Sequence, residues 1–81
     1  MNPLSITPSL LPGLVARLTP RQLEIVGLLA EGHSNKTIAA ILSINWLTVR
    51  THIHNACERL GVDNRIQLIV IFAMWKVGKV P

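Results

Sequence analysis

Ser43-Ile44-Asn45-Trp46-Leu47-Thr48-Val49-Arg50-Thr51-His52-Ile53-His54-Asn55-Ala56-Cys57-Glu58-Arg59-Leu60-Gly61 reads as one helix with its own start and stop signals. Asn45 stands where an N-cap is needed, its side chain able to accept from an orphan backbone N–H. Gly61 stands where the chain must turn left-handed to end a helix. Between them Val49, Ile53, Ala56 and Leu60 recur at helical spacing and form one buried stripe. Leu47, Arg50, Thr51, His54 and Glu58 fall on the opposite side, and Thr48, His52, Asn55 and Arg59 run along a flank. Arg50 and His54 are one turn apart, so both can point into one groove. A buried stripe backed by a row of donors is the shape of a recognition helix, although most polar helix faces merely meet water.

The stretch before it supplies a partner. Thr19-Pro20-Arg21-Gln22 forms a capping box, with Thr19 as N-cap, Pro20 in the first helical position and Gln22 reaching back. Gln22, Ile25, Val26, Leu28 and Leu29 share the inner face of this helix, Leu23 is expected to face water, and Gly32 ends it. Ser34 caps a second helix over 35–42, whose inner face is Ile38, Ala39 and Leu42. Lys36 projects from its first turn, a poor place for a cation unless a phosphate approaches. Ser43 and Ile44 make a short turn into the helix quoted above. Two helices joined by so tight a turn form a helix-turn-helix.

Asp63 is expected to cap a last helix running to about Val77. Ile66, Ile69, Val70, Ala73 and Val77 take one side of it, and Leu68, Ile71, Phe72 and Trp75 the other. One side can cover the preceding helices; the other requires a second subunit, because a helix apolar all round is a buried helix. Lys76 and Lys79 fall near its C-terminus, where cations are favoured. Residues 1–17 carry Pro3, Pro8 and Pro12 and read as an extended N-terminal arm or linker, with a turn of helix near Leu10 to Val15. The arm either leads in without structure, as termini often do, or packs on the domain or a partner.

Composition narrows the function classes. Eighty-one residues make at most one domain, marginal alone, so dimerisation is an expected source of stability. Charged residues are only 15% against 49% hydrophobic, which leaves apolar surface for a partner. A net charge of +4 suits a polyanion only modestly. The single Cys57 permits no internal disulfide and no cysteine-based zinc cluster, and at the edge of the buried stripe it reads as an inert core thiol. His33, His52 and His54 give no metal spacing, and Glu24, Glu31, Glu58 and Asp63 form no acid–base pair, so no enzyme, metal or cofactor is expected. No targeting segment is evident, and the apolar run from Leu68 to Trp75 is too short to span a bilayer. A cytoplasmic protein with no membrane partner is expected.

Leu18-Thr19-Pro20-Arg21, Glu24-Ile25-Val26, Leu28 to Gly32, Ser34 to Ala39, Thr48 to Ile53, Leu60-Gly61-Val62 and Asn64-Arg65 together resemble the LuxR-type (GerE-like) helix-turn-helix family. The resemblance covers Leu18 to about Val77. It implies an all-α, four-helix domain at 18–78, following the arm at 1–17, whose recognition helix at about 46–60 enters the major groove of double-stranded DNA as a homodimeric, sequence-specific transcription regulator. Carried over by position, it implies base contacts by Leu47, Arg50, Thr51 and His54. Lys36, Thr48 and His52 match positions near phosphates, and Asn55 joins them on the flank. Ile66, Val70 and Ala73 match the dimer seam, which Ile69 and Val77 extend. A larger LuxR-type regulator or RNA polymerase would be further partners. The departures are Gln22 for the family's Glu, and Leu23, Ile41, Trp46 and Leu47 at positions usually polar. They suit an alternative: an interaction module that keeps the fold but modulates a larger relative by heterodimerisation, with weak DNA binding. The family usually joins this domain to a sensory one, for which this chain has no room; a stand-alone regulator and an excised domain fit equally.

Overall fold

The computed structural model describes residues 6–78. A 3-10 turn at Pro8–Leu10 leads into α1 (Leu11–Val15), followed by α2 (Pro20–Ala30), α3 (Asn35–Leu42), α4 (Trp46–Leu60) and α5 (Arg65–Gly78). The described residues are all-helical, with helices α2 to α5 in the order the sequence dictates and α1 added before them. Residues 1–5 of the arm, and Lys79, lie outside the described residues.

The caps form as their chemistry requires. Gln22 N–H donates to Thr19 Oγ1 at 3.1 Å while Thr19 N–H donates to Gln22 Oε1 at 3.0 Å, so two orphan donors are satisfied reciprocally. Gln22 completes the box as a neutral side chain, and it is buried. Ser34 Oγ accepts from Thr37 N–H at 3.2 Å, and Asn45 Oδ1 accepts from Leu47 N–H at 2.7 Å. Gly61 ends α4 with φ +67°, a conformation that glycine adopts without a Cβ clash.

The core is one cluster drawn from every helix. Ile25, Val26, Ile38, Val49, Ala56, Leu68 and Ile71 have no exposed surface, and Leu60 has almost none. Each large side chain so buried contributes roughly 1.5–3 kcal/mol. Val49, Ile53, Ala56 and Leu60 all turn inward, so α4 is held along its whole length.

Two local expectations change. Leu23 is half-buried against the core instead of facing water. α2 touches α3, α4 and α5, so its apolar arc must be wider than one stripe. The last helix is capped by Asn64, not Asp63: Asn64 Oδ1 accepts from Gln67 N–H at 3.0 Å, and Gln67 Oε1 accepts from Asp63 N–H at 2.8 Å. Gln67 thus engages both residues, its N–H bonded to Asn64 and its side chain to Asp63, and the helix starts one residue later than expected.

In the N-terminal segment the expected turn of helix forms, as α1. Leu11, Leu14, Val15 and Leu18 are all buried in the common core. Their spacing is that of a helical stripe, and both prolines sit where they do no harm. Pro8 opens the 3-10 turn and Pro12 lies in the first turn of α1, where a missing N–H is tolerated. α1 packs on α5, and Arg59 Nη1 donates to Arg17 carbonyl oxygen at 3.1 Å, tying the segment to the end of α4. Of the two readings open for the arm, the structure shows packing on the domain from Ile6 onward.

Candidate nucleic-acid interface

The outward face of α4 is set by the burial of its inner one. With Val49, Ile53 and Ala56 fixed in the core, Leu47, Arg50, Thr51 and His54 are all exposed. They line one shallow depression of about 300 Å³, and nothing else lines it. Thr48 and Asn55 are exposed on the flank, and His52 is half-buried there. Lys36 is exposed in the first turn of α3.

The turn that joins α3 to α4 fixes their relative placement. Ser43 has φ +55°, in the left-handed region, and lets Ile44 N–H return to Ala39 carbonyl oxygen at 2.9 Å. α3 and α4 then lie against each other through Ile38, Ala39 and Val49 in the shared core. Arg65 Nη2 donates to Asn35 Oδ1 at 3.0 Å, which links the start of α5 to the start of α3 beside Lys36.

Three arginine side chains are already committed within the chain. Arg21 pairs with Glu24, Arg59 donates to Arg17, and Arg65 donates to Asn35. Among the described residues, Arg50 and Lys36 make no such commitment, nor do the side chains of Arg17 and Lys76, which lie off α3 and α4. A guanidinium with five free donors next to a shallow depression can grip a planar acceptor edge or an anion. One carboxylate shares the outward row: Glu58 Oε1 lies 3.2 Å from His54 Nε2, and both side chains are well exposed. Sequence reading placed His54 and Glu58 on one row without pairing them, although spacing of four residues brings helical side chains together. It also passed over Thr51 Oγ1, which donates to Leu47 carbonyl oxygen at 3.0 Å. Cys57 is half-buried, and burial pushes its thiol pKa up, with nearby Arg65 acting the other way. This is the environment of an inert thiol.

α5 exposes Ile66, Ala73 and Val77, with Ile69 and Val70 half-buried. Ile66 and Val77 have relative exposures of 69% and 71%, which is high for aliphatic side chains. Leu68, Ile71 and Phe72 face inward, so the two sides of α5 divide as the sequence indicates. Among the described residues no helix is long and apolar enough to cross a membrane. No group of three or more His, Cys, Asp or Glu side chains among them is placed to hold a metal ion.

Comparison with known proteins points one way. Residues 16–72 match the family model of bacterial regulatory proteins of the luxR family. The chain is 42% identical over 55 residues to the nitrate/nitrite response regulator protein NarP of Escherichia coli K12, covering 68% of this chain and 26% of that protein. It is 46% identical over 56 residues to the monoamine regulon transcriptional regulator of Klebsiella aerogenes, covering 69% and 25%. It is 40% identical over 57 residues to the response regulator protein VraR of Staphylococcus aureus, covering 70% and 27%. The chain thus spans about a quarter of the length of these curated relatives. The match takes in α2, α3, α4 and the start of α5, the same elements that build the outward face of α4, and on that ground the chain belongs to the luxR family of bacterial regulatory proteins.

Proposed function

We propose that this chain is a sequence-specific, double-stranded DNA-binding domain that regulates transcription as a homodimer. The observation that carries the reading is the single depression lined by Leu47, Arg50, Thr51 and His54 on the solvent face of α4. Arg50 donates to guanine O6 and N7 in the major groove, and His54 reaches a neighbouring base or phosphate. Lys36, Thr48, His52 and Asn55 hold the backbone and set register rather than sequence. The uncommitted state of Arg50 and Lys36, and membership of a regulatory family with helices in the same order, support this division of labour. Residues 18–78 form the DNA-binding unit, and residues 1–17 lead into it. The cell compartment that fits is the cytoplasm.

The dimer forms through Ile66, Ile69, Val70, Ala73 and Val77. The exposure of Ile66 and Val77 supports it, because an apolar strip on so small a domain calls for a partner. Selection from a random duplex library at stated salt tests the function. A defined, two-fold related motif is expected, and recovery of unrelated sequences only would overturn sequence-specific binding.

A second reading rests on Ile41, Trp46 and Leu47, exposed at 50%, 46% and 51%. It makes the chain an interaction module that pairs with a larger LuxR-type regulator, or touches RNA polymerase, while gripping DNA weakly. The same selection separates the two, since the module returns no motif.

A further inference from the structure

The depression on α4 has two chemically unlike ends. Arg50 supplies donors, and at the far end His54 Nε2 lies 3.2 Å from Glu58. At the near end stands Leu47, with half its surface exposed. An exposed leucine by itself means little. This one is held in place: its N–H is taken by Asn45 Oδ1 at 2.7 Å, and its carbonyl oxygen accepts from Thr51 Oγ1 at 3.0 Å. The second bond has a chemical consequence. The hydroxyl proton of Thr51 is spent inside the helix, so Thr51 offers no donor to a ligand, while its methyl group remains. The Leu47 end of the depression therefore presents hydrocarbon and no hydrogen-bond donor.

One group on a major-groove base edge is served by hydrocarbon alone, the C5 methyl of thymine. We infer that Leu47, with Thr51 beside it, selects a thymine through that methyl group, in the base pair next to the guanine read by Arg50. Three residues of helix advance about 4.5 Å, and successive bases on a strand advance about 3.4 Å, so adjacent side chains on this row meet adjacent base pairs. Cytosine in the same place lacks the methyl and brings an amino group that leucine would desolvate without pairing. The inference rests on the reading of α4 as the recognition helix, and it goes further by naming what the apolar end recognises.

The test removes only the methyl group. Each thymine of the selected site is replaced in turn by uracil, and binding of the wild-type protein is titrated at fixed salt. One thymine adjacent to a guanine should stand out, with a loss of about four-fold, the value of one buried methyl group. In Leu47→Ala the same thymine-to-uracil change should have an effect within about two-fold of none. Because Leu47 is exposed, the variant should keep its fold, which its thermal melt checks. Wild-type binding indifferent to uracil at every thymine overturns the inference while leaving DNA recognition standing. So does a methyl effect of equal size in Leu47→Ala. Failure of the selection to return any motif overturns both readings together.

Discussion

At the scale of single residues, the turn between α3 and α4 and the cations Lys36 and Arg50 matter most. Ser43 adopts φ +55°, where a side chain clashes mildly with its own backbone. Ser43→Gly should raise the unfolding free energy by about 1 kcal/mol, measured by urea titration; an equal or lower value would show that the Ser43 side chain compensates the strain. Lys36 stands at the first turn of α3, against the helix dipole, with no carboxylate partner among the described residues. If it meets phosphate, Lys36→Ala should weaken binding to all duplexes alike and make the slope of log K against log salt shallower by about one. An unchanged slope would place Lys36 off the DNA. Much of this was visible in the bare sequence, because Lys36, Arg50 and His54 are named by spacing alone. The bond from Thr51 to Leu47 and the facing of Glu58 toward His54 were not, since spacing allows such pairs without requiring them.

Helices explain where sequence reading succeeded and where it fell short. α4 was legible from end to end because an Asn cap, a four-residue apolar stripe and a terminal glycine all agree on the same bounds. α5 was legible in its two faces but not in its first residue, because Asp63 and Asn64 are both good caps and only the bond from Gln67 N–H to Asn64 Oδ1 decides between them. α1 was legible as a turn of helix near Leu10 to Val15, but its place in the core was not, because the prolines around it fit an extended leader as well as a packed segment. Leu23 was misplaced because periodicity on one helix cannot count how many neighbours that helix will have. The packing of α1 has a direct consequence. Leu14 is buried, so Leu14→Ala should cost about 2–5 kcal/mol, as leucine truncations in cores do. A chemical denaturation curve shifted by less than about 0.5 kcal/mol, the range of a surface change, would mean that the N-terminal segment does not belong to the cooperative unit.

At the scale of the whole molecule, the proposed function assigns the outward face of α4 to DNA and the apolar strip of α5 to a second subunit. A charge in the strip should separate the subunits, because an unpaired buried charge is costly. Val70→Asp should sediment as a monomer where the wild type is a dimer; identical behaviour of the two would remove Val70 from the seam. The central claim is that α4 reads sequence through Arg50, whose planar fork can make two parallel hydrogen bonds to one guanine. The most direct measurement is a titration of wild type and Arg50→Ala against the selected site and against random duplex at one salt concentration. The variant should lose about 1–3 kcal/mol on the selected site, relax its preference at one base pair, and lose much less on random duplex. Equal losses on both duplexes would make Arg50 one more backbone contact and would contradict the recognition role assigned to this helix.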